Sequence, residues 1–277
     1  FNPVGSICVV TGGANGIGRS LSQHLASLGA KRVVVVDLSL SAAQKVVSQD
    51  LPSGVGLAIG ANCGVEMDIR RVITETEFHC DGPIDAFFCN AGIPANGGPE
   101  VPNDEWERIW QVNVMQSVYV SRHLFPKYVA RGKGVMVITA SSAGLLNLPG
   151  ALAYSVTKHA AVGLAEGLHI AYASRGVHVA CLCPMGVRTG MVPKINSGMA
   201  KDSDAIVGQD GILSPDDVAK ETVSAVIAGK FMVLPHKRVK FYFSKKAEDY
   251  EQWLLGMRKV YEKYGATMSI APNMSSA

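Results

Sequence analysis

The stretch TGGANGIG, residues 11–18, decides the fold because it joins the apolar run ICVVT to an amphipathic segment. Its glycines at positions 12, 16 and 18 let the backbone pass close to a pyrophosphate, while free N–H groups at a helix start face the negative charge. The spacing differs from the usual G-x-G-x-x-G fingerprint of dinucleotide-binding folds. A strand, a turn and a helix are therefore predicted, with a phosphate site as the hypothesis and a plain tight turn as the alternative.

Short β-branched runs recur along the rest of the chain between segments of helix length. They are ICVVT, RVVVVD, GLAIG, IDAFFCN, GVMVITA, VHVACLC and FMVLP, and the amphipathic segments include residues 19–29, 66–79 and 104–129. Near-continuous apolar runs are typical of parallel strands that are covered on both faces. We therefore expect a single α/β domain of three layers, α/β/α, around a doubly wound parallel sheet of the Rossmann type.

Composition narrows the classes of function. Hydrophobic residues make up 48% of the 277 residues and charged residues 18%, which favours a compact core over disorder. The formal net charge is only +3, so nucleic acid is not expected as a partner. The basic stretch PHKRVKFYFSKK, residues 235–246, is interpreted as a solvated helix start, with an anionic surface or membrane patch as the alternative.

The six cysteines show no C-x-x-C pairing and no histidine spacing typical of a zinc site. We therefore expect free buried thiols in a reducing compartment and no metal. No basic region precedes the apolar run SICVV, and no window is long enough to span a membrane. A cytoplasmic protein without a membrane span is expected.

Asp37 ends the second predicted strand, near the offset at which an acid meets the adenosine ribose of a dinucleotide. A carboxylate there accepts hydrogen bonds from the ribose hydroxyls and repels a 2′-phosphate. Asn15 and Leu38 are neutral, whereas an NADP site would favour an arginine or lysine. The sequence therefore predicts NAD as the cofactor, and a solvated aspartate at a strand end is the alternative.

The stretch YSVTK places Tyr154 and Lys158 four residues apart, on one face of a helix. An ammonium about 4 Å from a phenol favours the phenolate by about 4 kcal/mol at an effective dielectric near 20. Such a contact would lower the tyrosine pKa from about 10 toward neutrality and produce an acid–base catalyst. The alternative is a simple surface contact.

In this order, TGGANGIG, CNAG (residues 89–92), ITASSAG (residues 138–144) and YSVTK resemble the motifs of the short-chain dehydrogenase/reductase family over residues 6–234. The resemblance implies catalytic roles for Ser141, Tyr154, Lys158 and Asn113. It implies cofactor contacts from these residues: Gly12, Asn15, Gly16, Ile17, Gly18, Asp37, Leu38, Asn62, Cys63, Asn90, Ala91, Gly92, Tyr154, Lys158, Pro184, Gly186, Val187 and Thr189.

Three positions depart from the family pattern. Met185 replaces the glycine after Pro184, with Gly186 one place later. Asn62 and Cys63 replace the usual aspartate–hydrophobic pair near the adenine, and Cys89 replaces the first asparagine of N-N-A-G. None of the three removes a catalytic group.

The resemblance also implies a mechanism. Tyr154 removes the hydroxyl proton of an alcohol while hydride passes to NAD, or protonates the carbonyl in reverse, and Ser141 hydrogen-bonds the same oxygen. Lys158 lowers the pKa of Tyr154 and holds the nicotinamide ribose, and Asn113 seats a water that relays protons. Alternatively, Ser141 is an ordinary loop serine and Asn113 only binds nearby backbone.

Apolar residues surround the predicted catalytic set and favour a hydrophobic substrate over a sugar or nucleotide. The substrate candidates are Ser141, Leu145, Leu146, Leu148, Tyr154, Met185, Met191 and Val192. The leucines are equally consistent with packing of the loop alone. A bulky secondary alcohol or ketone of hydroxysteroid, prostanoid or terpenoid kind is expected.

The predicted domain spans residues 1–240, with a substrate lid at about residues 185–213, and residues 241–277 form a helical extension. The stretch GILSPDDVAKETVSAVIAGKFMVLP, residues 211–235, is similar to the corresponding region of 15-hydroxyprostaglandin dehydrogenases and related bacterial members. The extension is interpreted as covering the core, with capping of the site or contact with a partner as alternatives. The resemblance implies a homodimer or homotetramer formed through helices at residues 104–129 and 151–174.

Two other functions stay open at this point. The first is an NADP-linked carbonyl reductase, and the second is a dinucleotide-binding sensor that uses the fold without turnover. A complete set of Ser141, Tyr154 and Lys158 argues against the sensor.

Overall fold

In a computed structural model, which describes residues 1–189 and 211–268, seven parallel strands form one sheet in the order β3-β2-β1-β4-β5-β6-β7. The strands are β1 (Ile7–Thr11), β2 (Arg32–Asp37), β3 (Gly56–Gly60), β4 (Ala86–Cys89), β5 (Gly134–Thr139), β6 (Val177–Leu182) and β7 (Met232–Val233). The chain order reverses between β1 and β4, which is where open α/β sheets form a crevice at the carboxyl ends of their strands.

Helices cover both faces of the sheet. They are α1 (Gly16–Ser27), α2 (Leu40–Asp50), α3 (Glu66–His79), α4 (Asn103–Trp110), α5 (Gln116–Arg131), α6 (Ala143–Leu146), α7 (Leu152–Tyr172), α8 (Pro215–Ile227), α9 (Lys237–Glu248) and α10 (Tyr250–Met268). One apolar cluster packs α3, α5 and α7 against the sheet, and a second packs α1, α2 and α8 against the other face. The predicted three-layer, doubly wound parallel fold is confirmed.

The centres of β1, β2, β4 and β5 are apolar and buried, as strands covered on both faces require. The burial explains why β1 and β2 contain valines at successive positions rather than an alternating pattern. All six cysteines are free and buried. The Cys181 and Cys183 sulfurs lie 3.7 Å apart within the core on the α3/α5/α7 side of the sheet.

The helix predicted over residues 104–129 differs in detail from the one observed. It consists of α4 and α5 joined by a π-helical turn, Gln111–Met115. A π turn inserts one extra residue and shifts the helix face, and such turns are frequent at functional sites. Here the turn contains Asn113 and precedes Gln116, and both side chains are buried.

The C-terminal segment packs on the body of the fold. Val239 of α9 is fully buried in the core, and Tyr242 and Trp253 pack against the same cluster. The predicted boundary between residues 240 and 241 falls inside α9. The division into a catalytic domain, a lid and an extension stays a prediction, and residues 190–210 of the lid lie outside the described residues.

The outer face of α5 and α7 carries an open groove of about 460 Å³. Gly163 and Gly167 lie on α7, and a Cβ added at either would meet no atom within 4 Å. These small residues therefore do not serve internal packing. A homodimer or homotetramer through these helices stays a prediction that light scattering would test.

Candidate active site

The loop after β1 brings backbone into contact with backbone. Gly12 has φ +61°, and an added Cβ would lie 2.9 Å from the Ala91 Cα atom. A Cβ at Gly18 would lie 2.2 Å from the Gly12 carbonyl oxygen. Only glycine fits at these two positions without displacing backbone. The loop thus presents its amides at the start of α1, next to the end of β4.

The adjacent strand end holds the same loop through Asn90. The Asn90 amide nitrogen Nδ2 donates to the Thr11 carbonyl at 3.1 Å. Thr11 Oγ1 accepts the backbone N–H groups of Asn90 at 2.9 Å and Ala91 at 3.0 Å. Gly92 lies next to the predicted catalytic residues, since a Cβ added there would lie 3.4 Å from Lys158 Nζ.

Asp37 lies at the carboxyl end of β2, as predicted. One carboxylate oxygen accepts the Ala14 N–H at 3.1 Å, and the other accepts the Ser39 N–H at 3.2 Å. These bonds fix the carboxylate beside the glycine-rich loop. Leu38 is 77% exposed and Asn15 is also exposed, while Ile17 packs against the core under α1.

The adenine-side candidates divide into one exposed and one buried residue. Asn62 is exposed, and its Oδ1 accepts the Gly64 N–H at 3.0 Å. Cys63 is buried, and desolvation raises the pKa of its thiol to about 12. The Cys63 thiol therefore stays protonated and belongs to the core, so a cofactor contact from this residue is left to its backbone.

Ser141, Tyr154 and Lys158 meet at the carboxyl end of β5. Ser141 follows that strand and is almost buried, and its Oγ accepts the Ala143 N–H at 3.1 Å. Tyr154 and Lys158 lie on successive turns of α7, and Lys158 Nζ lies 5.5 Å from the centre of the Tyr154 ring. The Lys158 ammonium donates to the Thr139 carbonyl at 2.9 Å.

The phenol and the ammonium are both desolvated. Burial raises the pKa of Tyr154 above its ordinary value, and a hydrogen bond with Ser141 opposes the rise. The expectation that Lys158 lowers this pKa is not met in the structure described. Burial also lowers the pKa of Lys158 to about 8. The ammonium donates to the Thr139 carbonyl, and desolvation of the phenolate is the largest cause of the raised Tyr154 pKa.

Asn113 is buried next to Lys158, but its side chain binds the backbone. Its Oδ1 accepts the Ile93 N–H at 2.9 Å, and its Nδ2 donates to the Ile93 carbonyl at 3.0 Å. The same Nδ2 contacts Thr157 Oγ1 at 3.2 Å. These bonds favour the alternative that Asn113 holds the chain after Gly92, and its role in a proton relay stays a prediction.

The loop after β6 crosses from Ser141 to the glycine-rich loop. The Pro184 carbonyl accepts the Ser142 N–H at 2.8 Å. Val187 pairs with Leu213, and a Cβ at Gly16 would lie 2.8 Å from the Thr189 side chain. The loop that contains Met185 therefore runs beside both the Ser141 end and the glycine-rich end of the crevice.

The substrate candidates differ in their burial. Leu145 and Leu146 are buried in the core, which favours loop packing. Leu148 and Met185 are partly exposed. Met191 and Val192 lie outside the described residues. A substrate role for any of these side chains stays a prediction.

Three residues at this site were missed in the sequence analysis. Gln116 donates to the Ala91 carbonyl and accepts from Thr11 Oγ1 at 3.1 Å. In the sequence its signal was its position three residues after Asn113. His236 and Lys246 also contact the site loops, and both lie in the basic stretch that was interpreted as a solvated helix start.

The chain is similar to known proteins. A family model described as short chain dehydrogenase matches residues 6–200. A 3beta-hydroxysteroid dehydrogenase 2 of Eggerthella lenta is 31% identical over 79% of this chain and 87% of its own length. A cyclohexanol dehydrogenase of Acinetobacter is 31% identical over 67% of this chain and 74% of its own. The chain therefore belongs to the short-chain dehydrogenase/reductase family and is an oxidoreductase of that class.

A solved structure agrees with this assignment. A short-chain dehydrogenase/reductase from Burkholderia phymatum, determined in complex with NAD, has a TM-score of 0.80 and 27% identity. The match covers 91% of this chain and 96% of that one. Within residues 1–189 and 211–268, no helix is long and apolar enough to cross a membrane.

Proposed function

We propose that this protein interconverts a hydrophobic secondary alcohol and its ketone with NAD(H) as the cofactor. The observation that carries the proposal is the burial of Lys158, which is 3% exposed beside Tyr154. A tyrosine and a lysine in a simple surface contact would leave the ammonium in water. Burying an ammonium costs several kcal/mol, so the sequence retains Lys158 for a reason other than stability.

The residues at the phosphate end fit a dinucleotide. Close backbone contacts at Gly12 and Gly18 hold the glycine-rich loop at the start of α1, where free N–H groups suit a pyrophosphate. Asp37 would accept hydrogen bonds from the adenosine ribose and repel a 2′-phosphate. Arg19, in the first turn of α1, is engaged by Asp50 through bonds of 2.7 and 2.9 Å. This pairing supports NAD over NADP, as does the NAD complex of the Burkholderia relative.

When bound, the nicotinamide supplies the hydride acceptor or donor. The proton is handled by the chain itself. The raised pKa of Tyr154 keeps its phenol protonated at neutral pH, which suits donation to a ketone oxygen. Ser141 would bind that same oxygen and stabilise its developing charge. Lys158, with a pKa of about 8, is largely cationic at neutral pH and would hold the nicotinamide ribose.

A hydrophobic substrate is supported from two directions. Leu148 and Met185, which follow Ser141 and Pro184 in the chain, are partly exposed apolar residues. Relatives that match two thirds or more of the chain are named for a hydroxysteroid and for cyclohexanol. Membership of the 15-hydroxyprostaglandin dehydrogenase subgroup stays a prediction.

The variant Tyr154→Phe tests the proposal. With a panel of cyclic secondary alcohols and NAD, we expect kcat to fall by about 10²- to 10⁴-fold, the usual contribution of a general acid–base. NADH affinity should stay close to that of the unmodified protein, because the ring itself is retained. Retention of activity within about tenfold would contradict the assignment of Tyr154.

Tyr119→Phe is the matched control. Its phenol bonds Gln111 on the surface at 2.9 Å, away from Ser141, so activity should be unchanged. Tight NADH binding by the unmodified protein without turnover of any alcohol or ketone would instead favour the sensor.

A further inference from the structure

His236 is a buried histidine that the reaction described above does not use. It is 1% exposed and lies between β7 and α9, immediately before the first residue of α9. Buried polar side chains are retained where their hydrogen bonds are satisfied. The hydrogen-bond partners of His236 therefore indicate its role.

The imidazole binds two consecutive residues of the loop after β6. The Met185 N–H donates to Nδ1 at 3.1 Å, and Nε2 lies 3.0 Å from the Gly186 carbonyl oxygen. Because a backbone N–H only donates, Nδ1 must carry a lone pair. The neutral ring then has its proton on Nε2, which donates to Gly186. One side chain thus satisfies a donor and an acceptor at the position where this chain departs from its family pattern.

The held loop is connected to the catalytic serine. Pro184, which precedes Met185, accepts the Ser142 N–H at 2.8 Å and lies 3.4 Å from Ser141 Oγ. The Gly186 carbonyl also accepts the Leu213 N–H at 3.1 Å. A shift of residues 184–186 would therefore move the partners of Ser141.

Lys246 makes an equivalent contact on the other side of Ser141. Its Nζ donates to the Leu145 carbonyl at 2.7 Å, four residues beyond Ser141 in the chain. Burial lowers the pKa of Lys246, as expected for an ammonium drawn out of water. The helix that carries Lys246 is anchored by Val239, which is fully buried.

We propose that His236 and Lys246 form a C-terminal clamp, a pair of positioning residues that hold the loops on both sides of Ser141 in the geometry needed for reaction. The clamp rests on the proposed oxidoreductase function for its effect on turnover. It does not rest on that function for its effect on the loops. The segment after β7 is then part of the active site's framework as well as a cover for the core.

The variant His236→Phe removes both hydrogen bonds and keeps an aromatic ring of similar size. We expect kcat to fall by about tenfold to a hundredfold and NADH to bind about tenfold more weakly, as the loss of two such bonds implies. Amide hydrogen exchange in a peptide covering residues 183–189 should become about tenfold faster. His236→Gln can donate and accept through one amide, so it should recover part of each change.

Controls separate the clamp from general damage. His178→Phe alters a histidine on β6 that contacts the His169 ring instead of the loops, and exchange over residues 183–189 should not change. Lys246→Met should speed exchange over residues 141–148 and lower kcat, while thermal unfolding reports any loss of fold.

The outcomes are distinguishable. Unchanged exchange, NADH affinity and kcat in His236→Phe would overturn the clamp. If the unmodified protein turns over no alcohol or ketone, the proposed function fails, while exchange and NADH titration still decide whether His236 holds the loop.

Discussion

The loop of residues 11–18 and the loop of residues 184–189 lie at strand ends along one edge of the same sheet, yet they are held by different means. The first is held by local backbone contacts, since Gly12 and Gly18 touch neighbouring main chain too closely for any side chain. The second is held by a distant side chain, His236, which is 51 residues from its partner Met185.

The difference shows where each half of the site is encoded. Contacts that require glycine leave a mark in the sequence at the place where they act, so the phosphate end is recognisable from a short stretch. A loop held by an imidazole from the end of the chain leaves no local mark.

Gly18→Ala is expected to have the largest effect on this comparison. The added Cβ would lie 2.2 Å from the Gly12 carbonyl oxygen and 2.6 Å from Asn90 Nδ2, so backbone must move. Overpacking of this kind costs about 3 kcal/mol of unfolding free energy. NADH affinity, measured by fluorescence titration, should fall by more than about a hundredfold.

Gly256→Ala provides the control on α10. A Cβ there meets no atom within 4 Å, and alanine in a helix interior is favoured over glycine by about 0.5–1 kcal/mol. If Gly18→Ala matched the unmodified protein in stability and NADH affinity, close backbone approach would not be what holds the phosphate end.

The fold was largely predictable because its strands are continuous apolar runs. The runs ICVVT, RVVVVD and GLAIG coincide with β1, β2 and β3, and the amphipathic pattern of residues 66–79 coincides with α3. The last run, FMVLP, shortens to the two residues of β7. Pro235, which lacks a backbone N–H, ends the run, and His236 follows it.

The π turn at Gln111–Met115 was not predictable for a related reason. Hydrophobic periodicity averages over several turns, so one inserted residue does not interrupt it. Side-chain bonds that depend on the insertion, such as Asn113 to Ile93, become visible only in three dimensions. The predicted direction of the Tyr154 pKa shift was wrong. The sequence spacing predicts that Tyr154 and Lys158 are close together, but it does not predict how far the phenol is desolvated.

Lys158→Met tests whether burial of the ammonium costs stability at the catalytic end. The Lys158 pKa is about 8 in the folded protein and about 10.4 in an unfolded chain. The unfolded state therefore binds more protons between these values, and stability rises with pH through that window. Below about pH 8 the full cost of about 3 kcal/mol is present.

Lys158→Met lacks the cost of burying an ammonium. It should therefore be more stable than the unmodified protein at neutral pH, by up to about 3 kcal/mol. Its advantage should shrink by about 2 kcal/mol between about pH 7.5 and about pH 9.5, measured by chemical denaturation. Lys45→Met, at an exposed lysine on α2, should show no such change. A pH-independent difference for Lys158→Met would mean that the ammonium is not desolvated.

Asp37→Asn is expected to have the smallest effect, and it sharpens the comparison by changing charge at the phosphate end while keeping shape. One amide oxygen replaces two carboxylate oxygens, so one of the bonds to Ala14 and Ser39 is lost. Both cofactors share that loss, and it cancels in the ratio of their affinities. What remains is the charge facing the ribose, and the preference for NADH over NADPH should narrow by about tenfold, as for one hydrogen bond to a charged group.

The measurement is a paired titration of Asp37→Asn and the unmodified protein with NADH and NADPH at equal ionic strength. Gln44→Ala is the matched control, since it alters an exposed side chain on α2 without changing charge. Its affinity ratio should stay within about twofold of the original, because surface substitutions have small effects. An unchanged ratio in Asp37→Asn would remove the carboxylate as the source of cofactor preference and return the NADP-linked carbonyl reductase to consideration.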